Sequence, residues 1–387
     1  METICEYEKC TGCFACQNVC PHKCIKLVSD KFGELHPQIN QDLCIDCGLC
    51  IKKCPARTEP RWEVPIGCYA VWNKNEKDRR LSASGGVATC FSQYMIKNKN
   101  GIVYGVKWDK QLRPVFDKVT SISDLEALKG SKYVQAYVNF KYKEVDVDLQ
   151  SGKNVLFIGT PCQIAGLKSF LGKDYDNLLT CDLLCHGVPS PKVWNLYLED
   201  IRKRYDSEIE HIFFRDKSHG WKTFSLTFQS KRMFLQRRIL TFDHYMQTFL
   251  RDISLRPSCY NCVCKKINRV SDVTLADFWG IRRINKAMND DKGVSLVLLH
   301  SEKGKRLFQE IESDIEWYNE SLASVKRINH NMVQSVKEPS KREAFFRNID
   351  RYSFEELYDK TVRRGVMYEL KNRIKGYLKL ALHLLEI

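Results

Sequence analysis

No stretch of this 387-residue chain is apolar for long enough to span a bilayer. No apolar segment of signal-peptide type follows Met1, because Met1-Glu2-Thr3 leads straight into cysteine-rich sequence. Both absences argue against secretion and membrane insertion, so a cytoplasmic protein is expected. Acidic residues are in short supply: 47 Asp and Glu face 62 Lys and Arg, for a net charge of +15. A basic balance often serves nucleic acid or anionic membranes. Here the excess is dispersed, and no homeodomain, zinc-finger or RNP signature is present, so no nucleic-acid partner is expected. Hydrophobic residues make up 43% of the chain, ordinary for globular domains.

Cysteine, by contrast, is abundant, with eighteen in the chain. In a chain without a secretory signal this argues for metal ligation over disulfides. Two runs stand out. They are Cys10-x2-Cys13-x2-Cys16-x3-Cys20-Pro21 and Cys44-x2-Cys47-x2-Cys50-x3-Cys54-Pro55, each cysteine 34 residues after its counterpart. In a bacterial two-cluster ferredoxin, three closely spaced thiolates wrap one corner of an iron–sulfur cube and the fourth reaches the other cube. The spacing therefore assigns Cys10, Cys13, Cys16 and Cys54 to one 4Fe-4S cluster, and Cys44, Cys47, Cys50 and Cys20 to the other. A zinc ribbon pairs CxxC units but has no use for a third cysteine at the next step. A disulfide framework belongs to short secreted chains. One-electron chemistry is expected, in an anaerobic or microaerobic cell. The basic surface then suits an acidic redox partner such as a ferredoxin or flavodoxin, or a partner enzyme subunit, and a phosphorylated cofactor.

The expected class is α+β. Residues 1–58 read as a bacterial-type two-cluster 4Fe-4S ferredoxin domain, followed by a proline-punctuated linker at Pro55, Pro60 and Pro65. An α/β body follows in two parts, 66–150 and 151–330. The first part opens with a strand at 68–72, a small-residue loop ending in Ser84-Gly85-Gly86, a helix from 87 and a strand at 102–108. In the second part, residues 155–158 are a continuous apolar run that reads as a buried strand. Thr160 suits the N-cap and Pro161 the first turn of the next helix. A strand at 178–184 and a helix at 191–204 repeat the unit, and segments such as 224–228 alternate like antiparallel strands. Residues 331–387 read as a helical, basic tail. Tyr368, Leu370, Ile374, Tyr377, Leu378 and Leu382 form an apolar stripe there, among Lys371, Arg373, Lys375 and Lys379. Packing of that stripe on the body or a partner is favoured over association with a membrane surface.

Eight cysteines lie in the body. Cys162 sits just inside a helix start, a position that favours the thiolate. Cys181 and Cys185 flank a strand end, and Cys259, Cys262 and Cys264 crowd one loop. By spacing alone, a third cluster and ordinary buried cysteine stand level. The Ser84-Gly85-Gly86 loop before a helix reads either as a phosphate cradle or as a tight turn, and the turn is the stronger reading.

Several segments, in order along residues 66–330, resemble the coenzyme F-420 (deazaflavin) hydrogenase/dehydrogenase beta-subunit family. They are Ser84-Gly85-Gly86, Gly130-Ser131-Lys132-Tyr133-Val134-Gln135, Gly159-Thr160-Pro161-Cys162-Gln163 and Cys185-His186-Gly187-Val188-Pro189-Ser190. Phe214-Arg215-Asp216-Lys217, Cys259-Tyr260-Asn261-Cys262, Asp277-Phe278-Trp279-Gly280 and Lys292-Gly293-Val294-Ser295 follow. The resemblance implies an iron–sulfur flavoprotein oxidoreductase. FAD would join one-electron clusters to hydride exchange with a small organic substrate or coenzyme, of deazaflavin type or a bacterial metabolite, some relatives accompanying surface-polysaccharide genes. It implies a third 4Fe-4S cluster on Cys162, Cys185, Cys259 and Cys262, leaving Cys181 and Cys264 spare. It makes Ser84, Gly85, Gly86, Ser131 and Lys132 flavin-site candidates, and Arg215, Lys217 and Lys292 candidates for anionic tails. No residue is compelled to act as a general base; His186 is the one candidate proton mover, against a structural role. The alternative is a non-catalytic electron-transfer subunit of a larger redox complex.

Overall fold

The structure is a computed structural model that describes residues 3–231, 233–328 and 332–385. Near the N-terminus, β1 (Ile25–Ser29) and β2 (Leu35–Ile39) pair antiparallel, with Ile25 opposite Ile39. The 34-residue repeat is written into the backbone. Gly12 and Asp46 take φ of 61° and 50°, and Phe14 and Gly48 take 67° and 71°. Phe14 and Gly48 each precede a short helix, Ala15–Val19 and Leu49–Lys52. A left-handed phenylalanine is costly; here its ring is buried in the core of the body.

The body is built on one mixed sheet of eight strands. They are β3 (Gly67–Asn73), β4 (Ile102–Trp108), β5 (Pro114–Val119), β6 (Val155–Gly159), β7 (Leu178–Leu183), β11 (Val273–Asp277), β12 (Ser295–Leu299) and β13 (Ile315–Asn319). Their order is β13-β3-β12-β11-β7-β6-β4-β5. The central neighbours β4, β6, β7 and β11 run parallel, and the flanking pairs are antiparallel. Continuous apolar runs suit such strands because both faces are covered. Val155 and Phe157 of β6 face the helices Lys141–Gln150 and Pro161–Leu171. Leu156 faces the opposite layer, with Phe91 of the helix Val87–Lys99 and Phe308 of the helix Glu302–Glu310. The boundary at 150/151 falls inside this sheet, since β4 pairs directly with β6.

A second, antiparallel sheet comprises β8 (His211–Asp216), β9 (Ser225–Gln229) and β10 (Phe234–Ile239), with β9 in the middle. It shares a core with Trp194 and Tyr197 of the helix Pro191–Tyr205. Phe345, Phe346, Phe354, Leu357 and Tyr358 complete that core. The segment expected as a tail from residue 331 is therefore core-forming to Val362, and the helix Val366–Leu385 continues beyond it. The expected linker is also stitched down: Glu63 and Arg269 exchange backbone hydrogen bonds of 2.8 and 3.0 Å. Phe14, Ala15 and Leu35 join the sheet's core, so the small cysteine-rich module uses the body's apolar surface to complete its own.

Candidate functional site

The helix Pro161–Leu171 starts where the continuous apolar strand β6 stops. Pro161 occupies its first turn, and the Gln163 carboxamide oxygen accepts from the Thr160 backbone N–H at 2.9 Å. This capping holds Cys162 at the carboxyl end of the parallel strands, where open α/β sheets gather their sites. Cys185 follows β7, and Cys259 and Cys262 come in on the loop after the helix His244–Leu250.

Three cysteine-lined pockets result. Cys10, Cys13, Cys16 and Cys54 share one with Cys5. Cys20, Cys44, Cys47 and Cys50 share another with Cys24. Cys162, Cys185, Cys259 and Cys262 share the third with Cys264, while Cys181 is buried apart, in the sheet's core. In the first two pockets the grouping is the one the spacing assigns, including the exchange of Cys20 and Cys54 between the two halves of the repeat, and in the third it is the set that the family resemblance implies. Among the described residues, no three or more His, Cys, Asp or Glu side chains converge as ligands of a single metal ion. The sulfurs instead line the walls of the pockets.

The fifth cysteines of the first two pockets, Cys5 and Cys24, were not singled out by spacing. The Cys24 sulfur lies 3.3 Å from that of Cys20. The only signal was proximity in sequence, since Cys5 and Cys24 lie five and four residues from a motif cysteine.

The helix-start argument for a lowered Cys162 pKa does not hold. Burial pushes this thiol up, and the neighbouring Cys262 sulfur adds to it, outweighing the Thr160 hydroxyl at 3.2 Å. Burial likewise raises Cys185 and Cys259. Such thiols are poor nucleophiles; metal coordination is what draws their protons off.

The module and the body share walls. Thr11 lines the body's pocket beside Arg256. Arg256 is fully buried; its Nε donates to the Cys10 carbonyl at 2.6 Å, and its Nη atoms donate to Gln135 Oε1 at 2.9 Å and the Leu35 carbonyl at 2.8 Å. Glu34, also buried, lies 3.3 Å away. The Tyr142 hydroxyl bridges the carbonyls of Cys13 and Gln163, 2.8 Å from each. A Cβ on Gly166 would stand 3.2 Å from the Cys13 sulfur, so the glycine admits the module against the Cys162 helix. His186 lines the body's pocket, and Asp252 Oδ1 holds its Nε2 at 2.6 Å.

The flavin and anion candidates are arranged differently from an open cradle. Ser84 Oγ donates to the Val294 carbonyl, and the Gly85 N–H to Ser295 Oγ. Gly85 leaves no room for a Cβ, which would meet the Val71 carbonyl at 2.4 Å. Gly86, at φ 86°, begins the helix Val87–Lys99. Lys132 is spent on the carbonyls of Lys129 and Gly130, and Ser131 lies beside it. Lys217 clamps the carbonyls of Arg79, Ser84 and Lys292 at 2.6–2.8 Å. Burial pushes Lys132 and Lys217 down to about 7, and the Arg215 and Arg79 charges add to the effect at Lys217. Arg215 makes a two-pronged pair with Asp277 at 2.8 and 3.0 Å, and Lys292 pairs with Glu76. These motif residues fasten the loops at the sheet's edge to one another.

Comparison with known proteins places the chain. Residues 152–323 match the family model for the C terminus of the coenzyme F420 hydrogenase/dehydrogenase beta subunit, and residues 9–58 match that for a 4Fe-4S dicluster domain. A "Coenzyme F420-dependent sulfite reductase" of Methanocaldococcus jannaschii is 28% identical over 185 residues, 46% of this chain and 28% of that protein. An uncharacterized protein of the same organism is 25% identical over 209 residues, 46% of this chain and 57% of that protein. The chain thus spans less than two thirds of either relative. A chain of the F420-reducing NiFe hydrogenase complex from Methanosarcina barkeri, solved under xenon derivatization, superposes with a TM-score of 0.48 at 14% identity, over 71% of this chain and 91% of that one. Residues 152–323 thus match the C-terminal part of the coenzyme F420 hydrogenase/dehydrogenase beta subunit, behind a 4Fe-4S dicluster domain at residues 9–58.

Proposed function

We propose that this chain is an iron–sulfur oxidoreductase that holds three 4Fe-4S clusters, the third at the junction of the ferredoxin module and the body. The observation that supports it best is the shared wall, in which Thr11 and Arg256 stand between the Cys10 pocket and the Cys162 pocket. Cys10, Cys13, Cys16 and Cys54 would hold one cluster, Cys20, Cys44, Cys47 and Cys50 the second, and Cys162, Cys185, Cys259 and Cys262 the third. Four thiolates per pocket fit the donor set. When bound, the clusters supply one-electron transfer.

The residues of the chain set the direction of access. Cys47 is exposed, so an external redox partner, a ferredoxin, a flavodoxin or a partner enzyme, reaches that pocket at the surface. The body's pocket lies deeper, and His186, oriented by Asp252, is the proton-moving candidate in its wall. The two-electron partner is a small organic substrate or coenzyme. The relative named for coenzyme F420 favours a deazaflavin type, and a bacterial metabolite of surface-polysaccharide synthesis is the other candidate.

Ser84, Gly85, Lys132, Arg215, Lys217 and Lys292, which the family resemblance offers to FAD, already donate within the chain, and of Arg215 only Nε has no partner. Their commitment favours a second reading, an electron-transfer subunit that completes its catalytic site with a partner. Anaerobic purification with iron, sulfide and flavin quantitation separates the two. About twelve irons are expected for three cubes. One bound flavin would support the flavoenzyme, and its absence the subunit. A count of about eight irons, or an iron content unchanged in a Cys162→Ala variant, would overturn the third cluster.

A further inference from the structure

The helix Val366–Leu385 lies on the body the wrong way round for a packed amphipathic helix. Its small and polar side meets the body, and two aromatic rings touch it as well, Tyr377 at 5.1 Å from the Phe242 ring and Tyr368 at 5.6 Å from the Arg251 guanidinium. Gly376 is buried against Phe242, where a Cβ would stand 2.5 Å from the ring. Glu369 Oε1 accepts from Arg251 at 3.3 Å and from the Arg364 backbone N–H at 3.1 Å. The opposite side carries Met367, Leu370, Ile374, Tyr377 and Leu378, which are 50–79% exposed. At 100° per residue these five fall within one face. Lys371 and Lys375 stand along one rim of it and Arg373 along the other, all three exposed. The Leu382 side chain lies outside the described ones. Of the stripe's described side chains, the fold therefore rests only the two tyrosine rings against the body and leaves Leu370, Ile374 and Leu378 turned outward.

We infer that this face docks on an anionic lipid surface, with the helix lying in the plane of the interface. An apolar face of long side chains fits the boundary between headgroups and acyl chains. Lysine and arginine on both rims extend their charged ends to anionic headgroups. The one acidic residue between 367 and 381, Glu369, is turned to Arg251, so nothing on the outward face repels anionic lipid. A second copy of this chain suits the face less well, because two basic helices would meet with like-charged rims in a protein of net charge +15. Among the described residues no helix is long and apolar enough to cross a membrane, so the contact is superficial. The docking depends on no assignment of clusters.

The test is sedimentation of the full chain, purified anaerobically, with vesicles of phosphatidylglycerol and phosphatidylethanolamine, against vesicles of phosphatidylcholine alone. Binding is expected to the anionic vesicles only and to weaken with salt. Replacing Lys371 and Lys375 by glutamine is expected to weaken it about fivefold per lysine. An Ile374→Asp/Leu378→Asp variant is expected to stay in the supernatant while keeping its iron and its visible spectrum, which shows that it has folded. Three outcomes would overturn the inference: no sedimentation with anionic vesicles, equal sedimentation of that variant, or a wild-type dimer that the variant converts to monomer.

Discussion

Replacing Arg256 by glutamine removes a positive charge from the wall between two cysteine pockets. The side chain is 1% exposed and serves the Cys10 and Leu35 carbonyls and Gln135, with the 0%-exposed Glu34 at 3.3 Å. Breaking a buried pair from one side costs about 3–5 kcal/mol, because the other charge is left behind. Here part of that cost is avoided. Burial already pushes Glu34 up to about 7, and without the guanidinium it moves higher and takes a proton near neutral pH. The lower end, about 3 kcal/mol, is therefore expected. The electrostatic effect is separate. At a separation of about 7 Å and an effective dielectric of about 20, one charge is worth about 2 kcal/mol. On a one-electron couple that is at most about 100 mV, less the part that Glu34 offsets by taking a proton, with the variant harder to reduce. Arg256→Lys keeps the charge but not the fork, so it should lose stability without a comparable fall in potential. Potentiometric titration followed by electron paramagnetic resonance, beside urea unfolding, reads both effects. A folded, iron-replete Arg256→Gln protein with unmoved potentials would refute the reasoning.

Other outcomes follow from particular contacts. Cys54→Ser should lose about four irons, one cube, whereas Cys24→Ser should keep them; iron loss from Cys24→Ser would make that thiol a ligand rather than a neighbour of Cys20. Gly85→Ala places a Cβ 2.4 Å from the Val71 carbonyl and 2.7 Å from the Ser295 N–H, both backbone. It should cost about 3 kcal/mol, and an unchanged urea midpoint would contradict that. Burial pushes His300 down to about 4, so the folded state resists a proton that the unfolded chain accepts near 6.5. Stability should therefore fall as pH drops from about 6.5 to about 4, by about 3 kcal/mol in all. Urea midpoints across that range measure the slope, which His300→Gln should flatten; an equal slope in the variant would place the acid sensitivity elsewhere.

Local spacing carried much of this protein. The x2-x2-x3 steps and the 34-residue repeat assign eight thiols to two pockets, because a cube accepts only chains that fold back at those intervals. The run at β6 and the Thr160-Pro161 stop were equally legible, since strand and cap chemistry act within a few residues. Long-range contacts decided the rest. Cys10 and Arg256 meet across 246 positions, and Lys217 meets Ser84 across 133. No periodicity encodes that the motif lysines and Arg215 spend their donors inside the chain. The pattern of the helix Val366–Leu385 likewise shows that it has an apolar face, but not which way that face turns. Gly376 against Phe242 and Glu369 against Arg251 settle that. A glycine without a side chain and one salt bridge fit the body where the broad leucine-rich side does not, so only the folded body could turn that side outward.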